Sequence, residues 1–80
     1  MEISAQISLY PLGKEHLAED IRHFVEILRE KGMHCETGAM STIVSGDSDI
    51  VFPALHEAFE YIASRGGCVM VSTISNACPV

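Results

Sequence analysis

The sequence predicts an α+β sandwich in which a four-stranded antiparallel sheet carries two helices on one face, in the order βαββαβ. Three observations predict it. The chain opens on a strict apolar and polar alternation, the period of a strand with one covered face. Two later stretches repeat their apolar residues at helical spacing. A run rich in β-branched residues closes the chain after Gly66-Gly67.

From Glu2 to Tyr10, Ile3, Ala5, Ile7 and Leu9 alternate with Ser4, Gln6, Ser8 and Tyr10. Pro11 lacks an amide donor and Gly13 admits unusual dihedrals, so the first strand should stop there. Between Lys14 and Lys31 an inward stripe of Leu17, Ile21, Phe24, Val25 and Leu28 marks an amphipathic helix, with His16 and His23 on its outer side. Gly32 suits the left-handed position just beyond its end. Met33 to Thr37 and Thr42 to Gly46 form short strands around a tight connection, hence a hairpin.

Asp47, Ser48 and Asp49 offer three N-caps for a second helix with the stripe Val51, Leu55, Ala58, Phe59 and Ile62. Pro53 is tolerable only near a helix start, which places the regular ladder from about residue 53 onward. Gly66-Gly67 ends that helix, and Cys68 to Ser75 form the last strand. Right-handed crossovers then put both helices on one side of the sheet, a ferredoxin-like topology with the first and third strands central. Ser4, Gln6, Ser8 and Tyr10 fall on the open face.

Eighty residues make one domain, 1–80, which buries only roughly 60% of its unfolded surface. With 48% hydrophobic residues, some apolar surface is left over for another subunit. A net charge of −6 and five Lys plus Arg disfavour nucleic acid and anionic membrane, both of which need clustered cations. No apolar run reaches the length of a bilayer span, and no signal peptide is visible. Cys35, Cys68 and Cys78 cannot all pair and none forms C-x-x-C, which fits a reducing cytoplasm.

Ser4, Gln6 and Ser8 are the most informative residues, because a central strand ordinarily takes Val or Ile and buried amides and hydroxyls need partners. Thr42 on the third strand and Ser72, Thr73 and Ser75 on the fourth would join the same neighbourhood if the register allows it. Such a neutral pocket suits an aromatic heterocycle with an amino group and ring nitrogens, since Gln6 donates and accepts at once. The four histidines show no metal-binding spacing, and no nucleophile stands beside a marked base, so neither metal, cofactor nor catalysis is expected. Ser45-Gly46-Asp47-Ser48 reads as ordinary helix capping.

The segments S-A-Q-I-S-L-Y-P-L at 4–12, M-S-T-I-V-S-G-D at 40–47, F-P-A-L-H-E-A-F at 52–59 and T-I-S-N-A-C-P at 73–79 carry a more specific signal. Together they resemble the YkoF-type thiamin and hydroxymethylpyrimidine-binding family, through almost the whole chain. The resemblance implies a ferredoxin-like domain that binds thiamin, mainly through its pyrimidine half, in service of vitamin uptake or salvage, with transporter components as partners. It implies no reaction. It also implies a homodimer or a dimer of dimers, because members with one domain associate through their sheets. Position by position it points to Ser4, Gln6, Ser8, Thr42 and Ser72 or Thr73 for hydrogen bonds to the aminopyrimidine. Tyr10 or Phe52 would supply a stacking surface, and Asp47 would offset the thiazolium charge. Ser45 stands where the wider group often has Glu. A regulatory or assembly module, its open sheet face consumed by subunit contact, is the alternative reading.

Overall fold

The alternation at the start of the chain builds β1 (Glu2–Pro11), the strand on which the rest is assembled. The computed structural model describes residues 1–13, 17–38 and 41–77. After β1 come α1 (Leu17–Glu30), β2 (His34–Thr37), β3 (Thr42–Asp47), α2 (Ser48–Ala63) and β4 (Cys68–Ser75). The strands lie in the order β2-β3-β1-β4, and every neighbouring pair is antiparallel. The expected βαββαβ sandwich is therefore the observed one.

Residues directly opposite each other share a face, so the register sorts the side chains. Ile3, Ala5 and Ile7 of β1 stand opposite Gly46, Val44 and Thr42 of β3, all toward the helices. Phe24, Val25 and Leu28 of α1 and Val51, Ala54, Leu55, Ala58 and Ile62 of α2 close over them. Met33 and Cys35 complete the core at the β2 edge. Burial pushes the Cys35 thiol up, against a smaller opposing effect of Arg29, which makes it a packing group and a poor nucleophile.

Three local expectations need correction. The second helix begins at Ser48, as the Asp47 cap candidate implies, so its ladder starts ahead of the expected residue 53 and Pro53 lies inside it. Asp47 explains this: its carboxylate accepts the Asp49 amide at 2.9 Å, so the first turn is capped and the proline forfeits one ladder bond without breaking the helix. Pro11 does not fall beyond the strand but is its last, buried residue, opposite Cys68. The β3 ladder stops at Ile7, so nothing on that side of Pro11 requires its missing N–H. Finally, Leu17 is exposed and Ile21 half-buried, so the inward stripe of α1 starts later than expected. The proposed helical start at Lys14, and His16, lie outside the described residues.

Gly32, at φ +87°, follows α1 in the expected left-handed conformation, its amide donating to the Arg29 carbonyl at 3.0 Å. The β3–α2 junction has no loop at all, because Ser48 follows Asp47 directly into the helix. Among the described residues, no helix is long and apolar enough to cross a membrane.

Leu28 is fully buried where α1 meets the sheet. Leu28→Ala is expected to lower unfolding free energy by about 2–5 kcal/mol in urea titration, whereas Leu12→Ala, at an exposed site, should change it by less than about 0.5 kcal/mol.

Candidate functional site

On the open face, β1 presents Ser4, Gln6, Ser8 and Tyr10 as its alternation requires. Ser4 lies between Ser45 and Ser75, which gives a row of three serines across β3, β1 and β4. Gln6 lies between Ile43 and Thr73, and its amide donates to the Ser41 hydroxyl at 3.4 Å. Ser8 faces Val71 and Tyr10 faces Val69. Exposed Ile43, Val69, Val71 and Tyr10 thus border a polar centre.

Thr42 and Ser72 are not in this row. Both stand opposite Ile7, from β3 and β4 respectively, and therefore point to the helix side. The cause is parity: antiparallel pairing matches Gln6 with residues 43 and 73, leaving 42 and 72 on the other face. Asp47 is also displaced, at the Glu2 end of the sheet. One carboxylate oxygen caps α2 and the other lies 3.3 Å from the Met1 ammonium. The Asp49 amide first, then the ammonium, hold the Asp47 carboxyl below the usual aspartate value. Phe52 lies on the outer face of α2, beside Pro53 and His56, away from the sheet.

Thr42 instead forms part of a different feature. Under the N-terminal half of α1 is a partly enclosed hollow of about 90 Å³ with walls of Ile7, Leu9, Ile21 and Phe24. Thr37, Gly38, Ser41 and Thr42 supply its polar side. Thr42 is 6% exposed, so its hydroxyl group belongs to the interior surface. Ser41 both lines this hollow and receives the Gln6 hydrogen bond, which links the open face to the hollow's rim.

Beside Ile21, Asp20 is fully buried. Its carboxylate lies 3.1 Å from Arg65 Nε, the Arg65 guanidinium sits 5.9 Å from the centre of the Tyr61 ring, and His23 meets Tyr61 edge-on at 6.1 Å. This chain fastens the first turns of α1 to the end of α2. Sequence reasoning missed Asp20, because an acid in a helix's first turn reads as a solvated dipole partner and its cation is remote along the chain. His23, expected on the outer side, is half-buried against Tyr61 for the same reason. His34 and His56 are exposed and pair with Glu36 at 3.3 Å and Glu60 at 2.9 Å. Among the described residues, no three His, Cys, Asp or Glu side chains gather where they could hold a metal ion.

The chain is thus a ferredoxin-like α+β domain with a small, hydroxyl-lined hollow between one helix and the sheet. The sequence pattern of the thiamine-binding protein family matches residues 5–75, and the chain belongs to that family. It is 31% identical over 58 residues to UPF0045 protein MJ1052 of Methanocaldococcus jannaschii, a match that spans 71% of this chain and 58% of that relative. The crystal structure of MJ1052 superposes with a TM-score of 0.87 at 25% identity, covering 96% of this chain and 81% of the other. Protein SP2199 of Streptococcus pneumoniae gives 0.84 at 18% identity, covering 94% and 86%. TM0486 of Thermotoga maritima, a protein provisionally assigned to thiamine biosynthesis or salvage, gives 0.82 at 22% identity, covering 94% and 83%. The last two likenesses concern the fold alone.

Two outcomes follow from these contacts. Because the folded Asp47 value is depressed, its charge stabilises the fold above the ordinary value of 3.8, and that contribution is lost as pH falls through the lower folded value. Asp47→Asn, which keeps an acceptor but cannot titrate, should flatten the acid limb of stability measured by urea unfolding between pH 5 and pH 2 (range from about one unit above to two below the reference). Arg65→Ala should cost about 1–3 kcal/mol, since Asp20 is buried while Arg65 is partly solvated. A double-mutant cycle with Asp20→Asn should recover part of that loss.

Proposed function

We propose that the protein binds thiamin, or its hydroxymethylpyrimidine moiety, without transforming it, and that the pyrimidine enters the hollow under α1. The observation that carries this reading is Thr42, a buried alcohol on the floor of an otherwise aliphatic and aromatic recess. Membership of the thiamine-binding family supports the ligand class. In such a pocket Ile7, Leu9, Ile21 and Phe24 flank the inserted edge of a ring, while Thr37, Ser41 and Thr42 meet its amino group and ring nitrogens. The volume is below the about 150 Å³ that encloses a benzene, so the ring enters edge-on and the rest of the ligand lies in the mouth.

The open-face row provides a second reading. Ser4, Gln6, Ser8, Thr73 and Tyr10 are on one surface, but the surface is a sheet and needs a second subunit to become a recess. A homodimer or dimer of dimers through that face, in the cytoplasm and serving vitamin uptake or salvage, accommodates it. Membership of the thiamine-binding family supports that setting.

Isothermal titration calorimetry with thiamin, hydroxymethylpyrimidine and thiamin diphosphate separates these readings. Thr42→Val keeps the shape and removes the alcohol, and is expected to weaken binding by about tenfold, the loss of one buried hydrogen bond. Gln6→Ala and Thr73→Val should have smaller effects. The reverse order moves the site to the open face, and no heat with any of the three compounds at millimolar concentration overturns ligand binding altogether.

A further inference from the structure

Among the described residues that line the hollow under α1, none is charged. A neutral ring suits such a place and an ionised group does not, because a charge without a partner gives up its hydration there. Any charge on the ligand must therefore lie outside, and one way out is suited to a particular sign. Ile21 and Thr37 line the hollow and also an open groove of about 430 Å³ that runs along α1. Arg22, Val25, Glu26 and Arg29 form the groove's wall, and their spacing puts them on one face of the helix. Two of the chain's five Lys and Arg thus front one groove, although the net charge is −6.

Both arginines are available to a ligand. Among the described residues, Lys31 pairs with Glu57 at 3.0 Å, Arg65 with buried Asp20 at 3.1 Å and Arg22 with Glu26 at 3.1 Å, whereas Arg29 makes no ion pair. The Arg22 and Glu26 side chains are both exposed, and such a pair contributes so little that Arg22 can turn to a stronger acceptor at small cost. Thr37 stands opposite Thr42, toward the helix side, and places a hydroxyl between the hollow and the arginines. We propose that this groove is a phosphate subsite and that the preferred ligand is a phosphate monoester, of hydroxymethylpyrimidine or of thiamin, rather than the free alcohol; the proposal rests on ring binding in the hollow. Arg29 and Arg22 present forked N–H donors to the phosphate oxygens, the geometry in which arginine exceeds lysine, and the Thr37 hydroxyl adds a donor. In thiamin monophosphate a thiazolium cation lies between ring and ester, and Glu26, freed from Arg22, is the carboxylate on the groove wall that offsets it.

Isothermal titration calorimetry at low ionic strength tests the proposal by comparing thiamin with thiamin monophosphate, and hydroxymethylpyrimidine with its phosphate. In at least one pair the ester should bind about tenfold more tightly than the alcohol, and the pair with the larger ratio identifies the arm that carries the phosphate. Arg29→Gln, at an exposed position, should bring that ratio close to one. Lys31→Gln removes the same charge outside the groove and should retain the ratio, which separates local contact from overall charge. Thr42→Val should weaken ester and alcohol alike. Salt provides a check on the parent chain that needs no variant: raising ionic strength to about 0.5 M should shrink the ratio several-fold. Esters that bind no more tightly than their alcohols, an Arg29→Gln ratio equal to the parent's, or an equal loss in Lys31→Gln would each overturn the subsite while leaving ring binding in place. Failure of all four compounds to bind removes the ring reading and the subsite with it.

Discussion

The structure depends on the parity of β1. With a strand neighbour on both sides along Ser4 to Ile7, that strand cannot slip by one residue without driving Ser4, Gln6 and Ser8 into the helix layer and Ile3, Ala5 and Ile7 into solvent. Its register fixes that of β3 and β4, and through them which hydroxyls are available on which side. One backbone constraint thereby separates two chemistries: a polar centre on the open face and a Thr42-floored recess under α1.

Those two surfaces meet at Ser41. Ser41 immediately precedes β3, where the sheet's open side turns over into the recess, and Gln6 reaches it from β1. Rigidity on the other side of the recess comes from the Asp20–Arg65 pair, because Ile21 follows Asp20 directly and cannot move without it. A buried carboxylate is a costly way to fasten two helices, and it is specific, since its orientation is fixed by a planar guanidinium that also lies over Tyr61.

Much of this was legible in the amino-acid sequence, for reasons that differ by element. The period of two in β1 and β4 and the helical stripes depend on near neighbours, so the element order and topology could be read directly. The family resemblance was carried by short motifs spread along the chain and agrees with the matched family. The site was harder. Whether Thr42 or Ile43 shares a face with Gln6 depends on one residue of register between strands remote along the chain, which no local pattern encodes. Phe52 and Asp47 looked suitable by type, yet one faces outward from α2 and the other is occupied in starting it. Pro53 misled because its ordinary place is at a helix start, while here a strong cap precedes it by six residues.

The loopless junction of β3 and α2 has an evolutionary corollary. Where a strand runs straight into a helix, each added residue turns everything downstream by about 100°. A single insertion after Asp47 would rotate Val51, Leu55, Ala58 and Ile62 off the sheet together, with no slack to absorb the change. Length at this joint is therefore as constrained as composition, and natural variation in size must accumulate elsewhere along the backbone.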